Sequence, residues 1–445
     1  MWLALPVELV EGADADVGDG DGGAHRGVAL WSGVETFCGV ARFETAPTLH
    51  ERESLALKQY PLPVAAALFV AGLGLASCAD HSHNRVAFAS TAALGDVHAT
   101  LDNDGRVILV TLDGVRAEDV FDGADPSLRR TVDVARLTRP FAVMPRTHQL
   151  IARGGVALGA DRPGCGTVRT ASGANVSLPG YLEIFTGRTT SCRDNGCAQT
   201  ERATVLDEAA DAGLTVASIG SWNVLDHAVS RGNPGVFVET GTHRWPGTRP
   251  LADAPFEQLV AAGERVGAYP GSGWYRPDAY TSAIALHYMK AASPAVFHVG
   301  LGDADEWGHR DDYAAYLAAI GKADAFIGEL ADLLDAMAEP GARTTVIVTT
   351  DHGRNSDFRH HGPSSASSSR SFVLAFGARV EPQGIACASH DVTLADIAPT
   401  MRALVGLPAD PARDSGRVIP EIVPPIAVAR GGAGAASDAL ATEAR

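Results

Sequence analysis

The chain holds 445 residues, 53 acidic and 36 basic, for a formal net charge of −17. Nucleic acid repels a chain of that sign unless a local basic patch intervenes, and none is visible, so no nucleic-acid-binding surface is expected. With 46% hydrophobic residues the chain can bury a large core, which excludes a disordered polypeptide, and its 48 glycines follow no triplet period.

Residues 1–56 carry ten acids against three bases, are rich in Gly and Asp around Gly12–Gly23, and lack periodicity. They read as a non-globular extension or a spurious, over-extended gene start. Pro61–Ala76 (PLPVAAALFVAGLGLA) then runs sixteen residues without a charge. That is short of the about 20 residues a membrane span needs. With Lys58 as its positive flank it fits a signal-peptide apolar region, so residues 57–78 read as a signal, with initiation near Leu57. Leu75-Ala76-Ser77-Cys78 resembles a bacterial lipobox, in which Cys78 is lipidated and becomes the first mature residue. The expectation is an exported bacterial lipoprotein of the cell envelope, attached to a membrane through Cys78. Cysteine usage agrees, because Cys165, Cys192, Cys197 and Cys387 form an even set suited to an oxidising compartment. Cys192 and Cys197 lie close enough in sequence to close a small loop.

Residues 79–104 read as a polar tether leading into a domain at 105–410. Inside it, short β-branched or apolar runs at Val107–Leu112, Val216–Ile219, Ala295–Leu301 and Thr345–Thr350 have the character of strands buried on both faces. Between them, Ala203–Ala212, Asp278–Ala292 and Ala314–Met337 show helical spacing. The alternation predicts an α/β fold with a mostly parallel central sheet sandwiched by helices. Residues 222–273, rich in Gly, Pro, Trp and His, predict a smaller cap insertion, and 411–445 read as a C-terminal tail.

Ligands of open α/β sheets bind beyond the carboxyl ends of the strands, and here those ends are loaded. VILVTL runs into Asp113-Gly114, VFHVGL into a segment holding Asp303, Asp305 and His309, and TVIVTT into Asp351-His352-Gly353. Ser177 sits in a short turn before an apolar helix at Tyr181–Thr186, and His360-His361-Gly362 precedes a strand at Ser371–Phe376. Carboxylates and imidazoles converging on one sheet edge repel each other unless a cation binds them. Zinc and similar divalent metals favour this mixture of oxygen and nitrogen donors. Two such ions about 4 Å apart suit displacement at phosphorus.

With these residues in place, the sequence resembles the alkaline phosphatase superfamily, nearest to its nucleotide pyrophosphatase/phosphodiesterase-like branch, over roughly Arg106–Leu407. LDGVR at Leu112–Arg116 is similar to that branch's first metal motif. Ser177-Leu178-Pro179-Gly180-Tyr181 with Thr186-Gly187 is similar to its nucleophile motif, and Asp305 and His309 match its D-x-x-G-H. Asp351-His352 and His361-Gly362 match its later ligands. The resemblance implies an alkaline-phosphatase-like fold and two divalent ions, zinc above all with manganese as the alternative. Asp113, Ser177, Asp351 and His352 would hold one ion, and Asp305, His309 and His361 the other. It implies Ser177 as nucleophile and Asn195 as a donor to a phosphate oxygen, hence a hydrolase of small-molecule phosphate mono- or diesters. Three rival readings are a sulfatase, a phosphomutase resembling the cofactor-independent phosphoglycerate mutase, and a non-catalytic lipoprotein scaffold. Tyr181 stands where a sulfatase motif has arginine. Arg188, Arg193, Arg354 and Arg370 are all candidates to grip phosphate.

Overall fold

A computed structural model of the chain describes residues 104–128, 135–242, 253–412 and 416–424. The N-terminal extension, the signal segment, Cys78 and nearly all of the tether lie outside the described residues. Among the described residues, no helix is long and apolar enough to cross a membrane.

Among the described residues ten strands form, β1 (Arg106–Leu112), β2 (Gly155–Leu158), β3 (Val168–Arg169), β4 (Val216–Gly220) and β5 (Val236–Thr240) in the first half. The second half adds β6 (Val296–Leu301), β7 (Thr344–Thr349), β8 (Val373–Gly377), β9 (Gly384–Ile385) and β10 (Val392–Thr393). Eight of them make one sheet in the order β5-β4-β6-β1-β7-β8-β2-β9, while β3 and β10 pair separately. β5, β4, β6, β1 and β7 run parallel to one another, and β8 is antiparallel to both its neighbours. The predicted mostly parallel sheet is therefore present.

Its two faces follow from the alternation along β1. Ile108, Val110 and Leu112 belong to one core and Val107 and Leu109 to the other. On the first face lie α1 (Ala117–Phe121), α2 (Pro145–Gly154), α6 (Ala254–Arg265), α7 (Asp278–Ala292) and the long α9 (Tyr313–Ala336). The second face carries α3 (Ser177–Thr186), α4 (Val205–Asp211), α5 (Asp226–Val229) and α11 (Ile397–Leu404). Two short helices, α8 (Asp303–His309) and α10 (Glu339–Ala342), complete the set.

Two sequence expectations are corrected. Residues 222–273 do not form a separate cap: β5 extends the main sheet, and Phe256 and Val260 of α6 enter its core. The tail expected from 411 is packed in its described part, with Ile419 and Ile422 buried. The Gly416 N–H donates to the Gly187 carbonyl at 2.8 Å and the Ile419 N–H to Thr400 Oγ1 at 3.0 Å. Both segments contribute isolated apolar residues, too few to show a period in sequence. The four paired cysteines form Cys192–Cys197 and Cys165–Cys387.

Candidate metal centre

The parallel order puts the carboxyl ends of β1, β6 and β7 side by side, because β1 lies between the other two. Asp113 follows β1, Asp351 and His352 follow β7, and the residues after β6 coil into α8. On α8, Asp305 and His309 are one helical turn apart, and His309 Nε2 lies 3.0 Å from Asp305 Oδ2. Ser177 is the first residue of α3 rather than part of a preceding turn, and it is buried. Its Oγ donates to Asp113 Oδ1 at 3.3 Å and lies 3.1 Å from His352 Nε2. Gly180 explains how α3 seats so closely, since a Cβ there would collide with the Asp351 carbonyl.

His361 closes the site from the loop after β7. Its Nδ1 is 2.9 Å from the Asn175 carbonyl, which turns Nε2 toward His309 Nε2 at 3.1 Å. The His352 and His361 rings stack with centroids 3.9 Å apart. All seven predicted ligand residues are thus brought together. Donor atoms of Asp113, Asp351 and His352 lie within 4.8 Å of one another, as do those of Asp305, His352 and His361. His352 therefore borders both groups instead of one alone.

The donor set fits divalent ions. Asp351 Oδ2 is buried without a hydrogen-bond partner, a costly state for a carboxylate oxygen. Burial, with Asp113 beside it, pushes the Asp351 carboxyl well above the usual range. Burial opposes charge on His352, but Asp351, Asp113 and Asp305 together outweigh it and carry the imidazole up to about 10. Burial together with His352 drops His361 to about 3. A bound cation would relieve each of these conflicts at once.

The remaining predicted residues divide clearly. The exposed Asn195 accepts at Oδ1 from the Leu178 N–H at 3.0 Å, which leaves its amide nitrogen as a donor beside Ser177. Asp303 turns away from the cluster and accepts from Tyr275 Oη at 2.7 Å. His360 is exposed and pairs with Asp357. Of the arginines, Arg188 pairs with Asp410, Arg193 donates to the Ser172 carbonyl, and Arg370 pairs with Glu118 and Asp161. Arg354 is buried and bonded to Asp305, so none of the four extends freely toward the cluster. Sequence reasoning missed Tyr181, whose Oη donates to Asp113 Oδ2 at 3.3 Å. Its position four residues after Ser177, one turn along α3, was the available signal.

Residues 278–409 match the model of the Metalloenzyme superfamily, described as "Metalloenzyme superfamily". That stretch holds Asp305, His309, Asp351, His352 and His361. A phosphopentomutase of Serratia proteamaculans is 25% identical over 228 residues, 46% of this chain and 52% of the relative. The chain thus spans about half the length of this relative. A phosphonate monoester hydrolase of Agrobacterium radiobacter aligns over 72% of this chain and 77% of its own, at 14% identity and a TM-score of 0.45. A putative sulfatase of Bacteroides thetaiotaomicron aligns over 72% and 74%, at 13% identity and a TM-score of 0.47. The family match and the geometry coincide: over residues 278–409 the chain is similar to the Metalloenzyme superfamily, and that stretch supplies five of the donors gathered at the strand ends.

Proposed function

We propose that the protein is a metal-dependent hydrolase of phosphate mono- or diesters in which Ser177 is the covalent nucleophile. The observation that carries this reading is the seat of Ser177 Oγ between Asp113 Oδ1 and His352 Nε2 at the start of α3. Two divalent ions held by Asp113, Ser177, Asp351 and His352 and by Asp305, His309 and His361 would lower the hydroxyl pKa and offset phosphoryl charge. Ser177 Oγ forms a bond to phosphorus as the ester oxygen leaves, giving a phosphoserine that water then cleaves. The Asn195 amide nitrogen donates to a phosphoryl oxygen, and the first turn of α3 directs its positive end at the same anion. Asn175 holds His361 in orientation, and Tyr181 holds Asp113.

A panel of phosphate monoesters, phosphate diesters and sulfate esters, run on metal-reconstituted protein, tests the reading. Acid-quenched enzyme should carry phosphate on the Ser177 peptide. Formylglycine at that position would instead support a sulfatase. A phosphomutase is the second reading, favoured by the similarity to a phosphopentomutase. It requires phosphoryl transfer between two positions of a sugar without loss to water.

We further propose an exported lipoprotein anchored to a membrane through Cys78. The two disulfides support an oxidising compartment. When the chain is expressed from Leu57, Cys78→Ala should abolish lipid labelling; unchanged labelling refutes the anchor.

A further inference from the structure

The two ligand groups differ in charge because of one buried cation. Arg354, two residues after His352, is 1% exposed, and its Nη1 donates to Asp305 Oδ1. Its Nε donates to the Phe358 carbonyl and its Nη2 to the Arg359 carbonyl at 2.9 Å, and its guanidinium lies 5.5 Å from the Phe358 ring centre. Gly114 and Gly308 make room for it, since a Cβ on either would strike the guanidinium. Every arm of this side chain is thus fixed. Asp305 keeps only Oδ2 for an ion, and its negative charge is already matched.

The other group is the opposite case. Asp113 and Asp351 supply two carboxylates, and among the described residues neither pairs with a lysine or arginine.

Resting on the two-ion reading above, we propose that Arg354 is a positioning residue that makes the two metal sites unequal. The site of Asp113, Asp351 and His352 fills first. The site of Asp305, His309 and His361 fills second, weakly, and is completed by an anion. A dication at the first site meets two negative charges. At the second it meets none in balance and is repelled by the first ion, so the separation in affinity should be about tenfold or more. A phosphate dianion supplies the missing charge, and its binding and that of the second ion must strengthen each other equally.

The test is a chelator-buffered zinc titration of the metal-stripped whole chain, reading bound ion directly, with and without inorganic phosphate. Two phases separated by about tenfold or more are expected, with phosphate tightening only the weaker. Asp305→Asn should delete the weak phase and Asp351→Asn the tight one. Arg354→Met should narrow the gap between the two phases by about threefold or more, while Arg354→Lys keeps it. Equal phases in the wild type, loss of the tight phase in Asp305→Asn, or an unchanged or wider gap in Arg354→Met overturns the proposal. If Arg354→Met does not fold, the two Asp variants decide. Equal phases would leave the hydrolase reading intact, whereas absence of both phases would overturn both.

Discussion

Ser177 has neighbours that a structural serine does not need: a carboxylate on one side, an imidazole on the other, and an unpartnered carboxylate oxygen in the same pocket. Ser177→Ala should lower turnover by about a thousandfold or more while leaving zinc stoichiometry at or near the wild-type value, because the carboxylates and imidazoles remain. Steady-state kinetics paired with metal analysis checks this, and near-normal turnover would mean that water attacks directly. Tyr181 acts on the same ion through Asp113. Tyr181→Phe keeps the ring in the core and removes only the 3.3 Å bond, so zinc affinity at the Asp113 site should fall about 10- to 100-fold with melting behaviour little changed. At this scale the sequence was largely legible, since Asp113, Asp305, His309, Asp351 and His352 each stand just beyond a strand end or at a helical interval from a residue that does, whereas His361 lies in the loop after β7 and was singled out only by the glycine that follows it. Arg354 was visible as an arginine but not as the partner of Asp305, 49 residues away. Nothing in a linear pattern states that two side chains will be buried together.

Among the elements, α3 is held at the site by its glycine. Gly180→Ala should push the helix off the Asp351 carbonyl, lowering both stability, by about 1–3 kcal/mol, and activity, since Ser177 moves with the helix. Urea unfolding and kinetics on the same preparation would show the two losses together; loss of neither would mean that the loop after β7 yields. Central strands were readable because they are buried on both faces and so appear as unbroken apolar runs. The reversed direction of β8 was not readable, because direction is set by the connection and the partner rather than by the strand's own residues. α8 was missed as a helix because it has only seven residues and three of them are acids in its first turn. Those acids favour a helix start, and that signal is too short to stand out from a loop.

Across the whole molecule, buried charge and covalent links set how stability responds to conditions. Asp119 is buried against Arg116, Tyr313 and Tyr316, and burial, partly offset by Arg116, raises its carboxyl to about 6. A folded-state value above the ordinary 3.8 means that the folded form holds the proton more tightly. The associated stability is complete below about pH 4 and is lost as pH rises through about 6, amounting to about 3 kcal/mol. The stability of the wild type relative to Asp119→Asn should therefore fall by roughly that amount between pH 4 and pH 8, measured by urea unfolding; a flat difference would contradict the assigned burial. The Cys165–Cys387 bridge ties the segment ahead of β3 to the segment ahead of β10. Cys165→Ser with Cys387→Ser should cost about 2–5 kcal/mol under oxidising conditions, a difference from the wild type that vanishes when reductant opens the same bridge there.

The position of β1 also bears on how the protein is made. β1 is an early strand, but its hydrogen-bonding partners are β6 and β7, with Val107 in register with Val296 on one side and Thr345 on the other. A ribosome adding about 5–20 residues per second needs roughly 10–40 seconds to reach the first of these partners. Throughout that time an apolar strand with two bare edges waits in the growing chain, open to the wrong neighbour. The central sheet therefore cannot close vectorially from the N-terminus, and folding should depend on whatever shields β1 until Val296 is made.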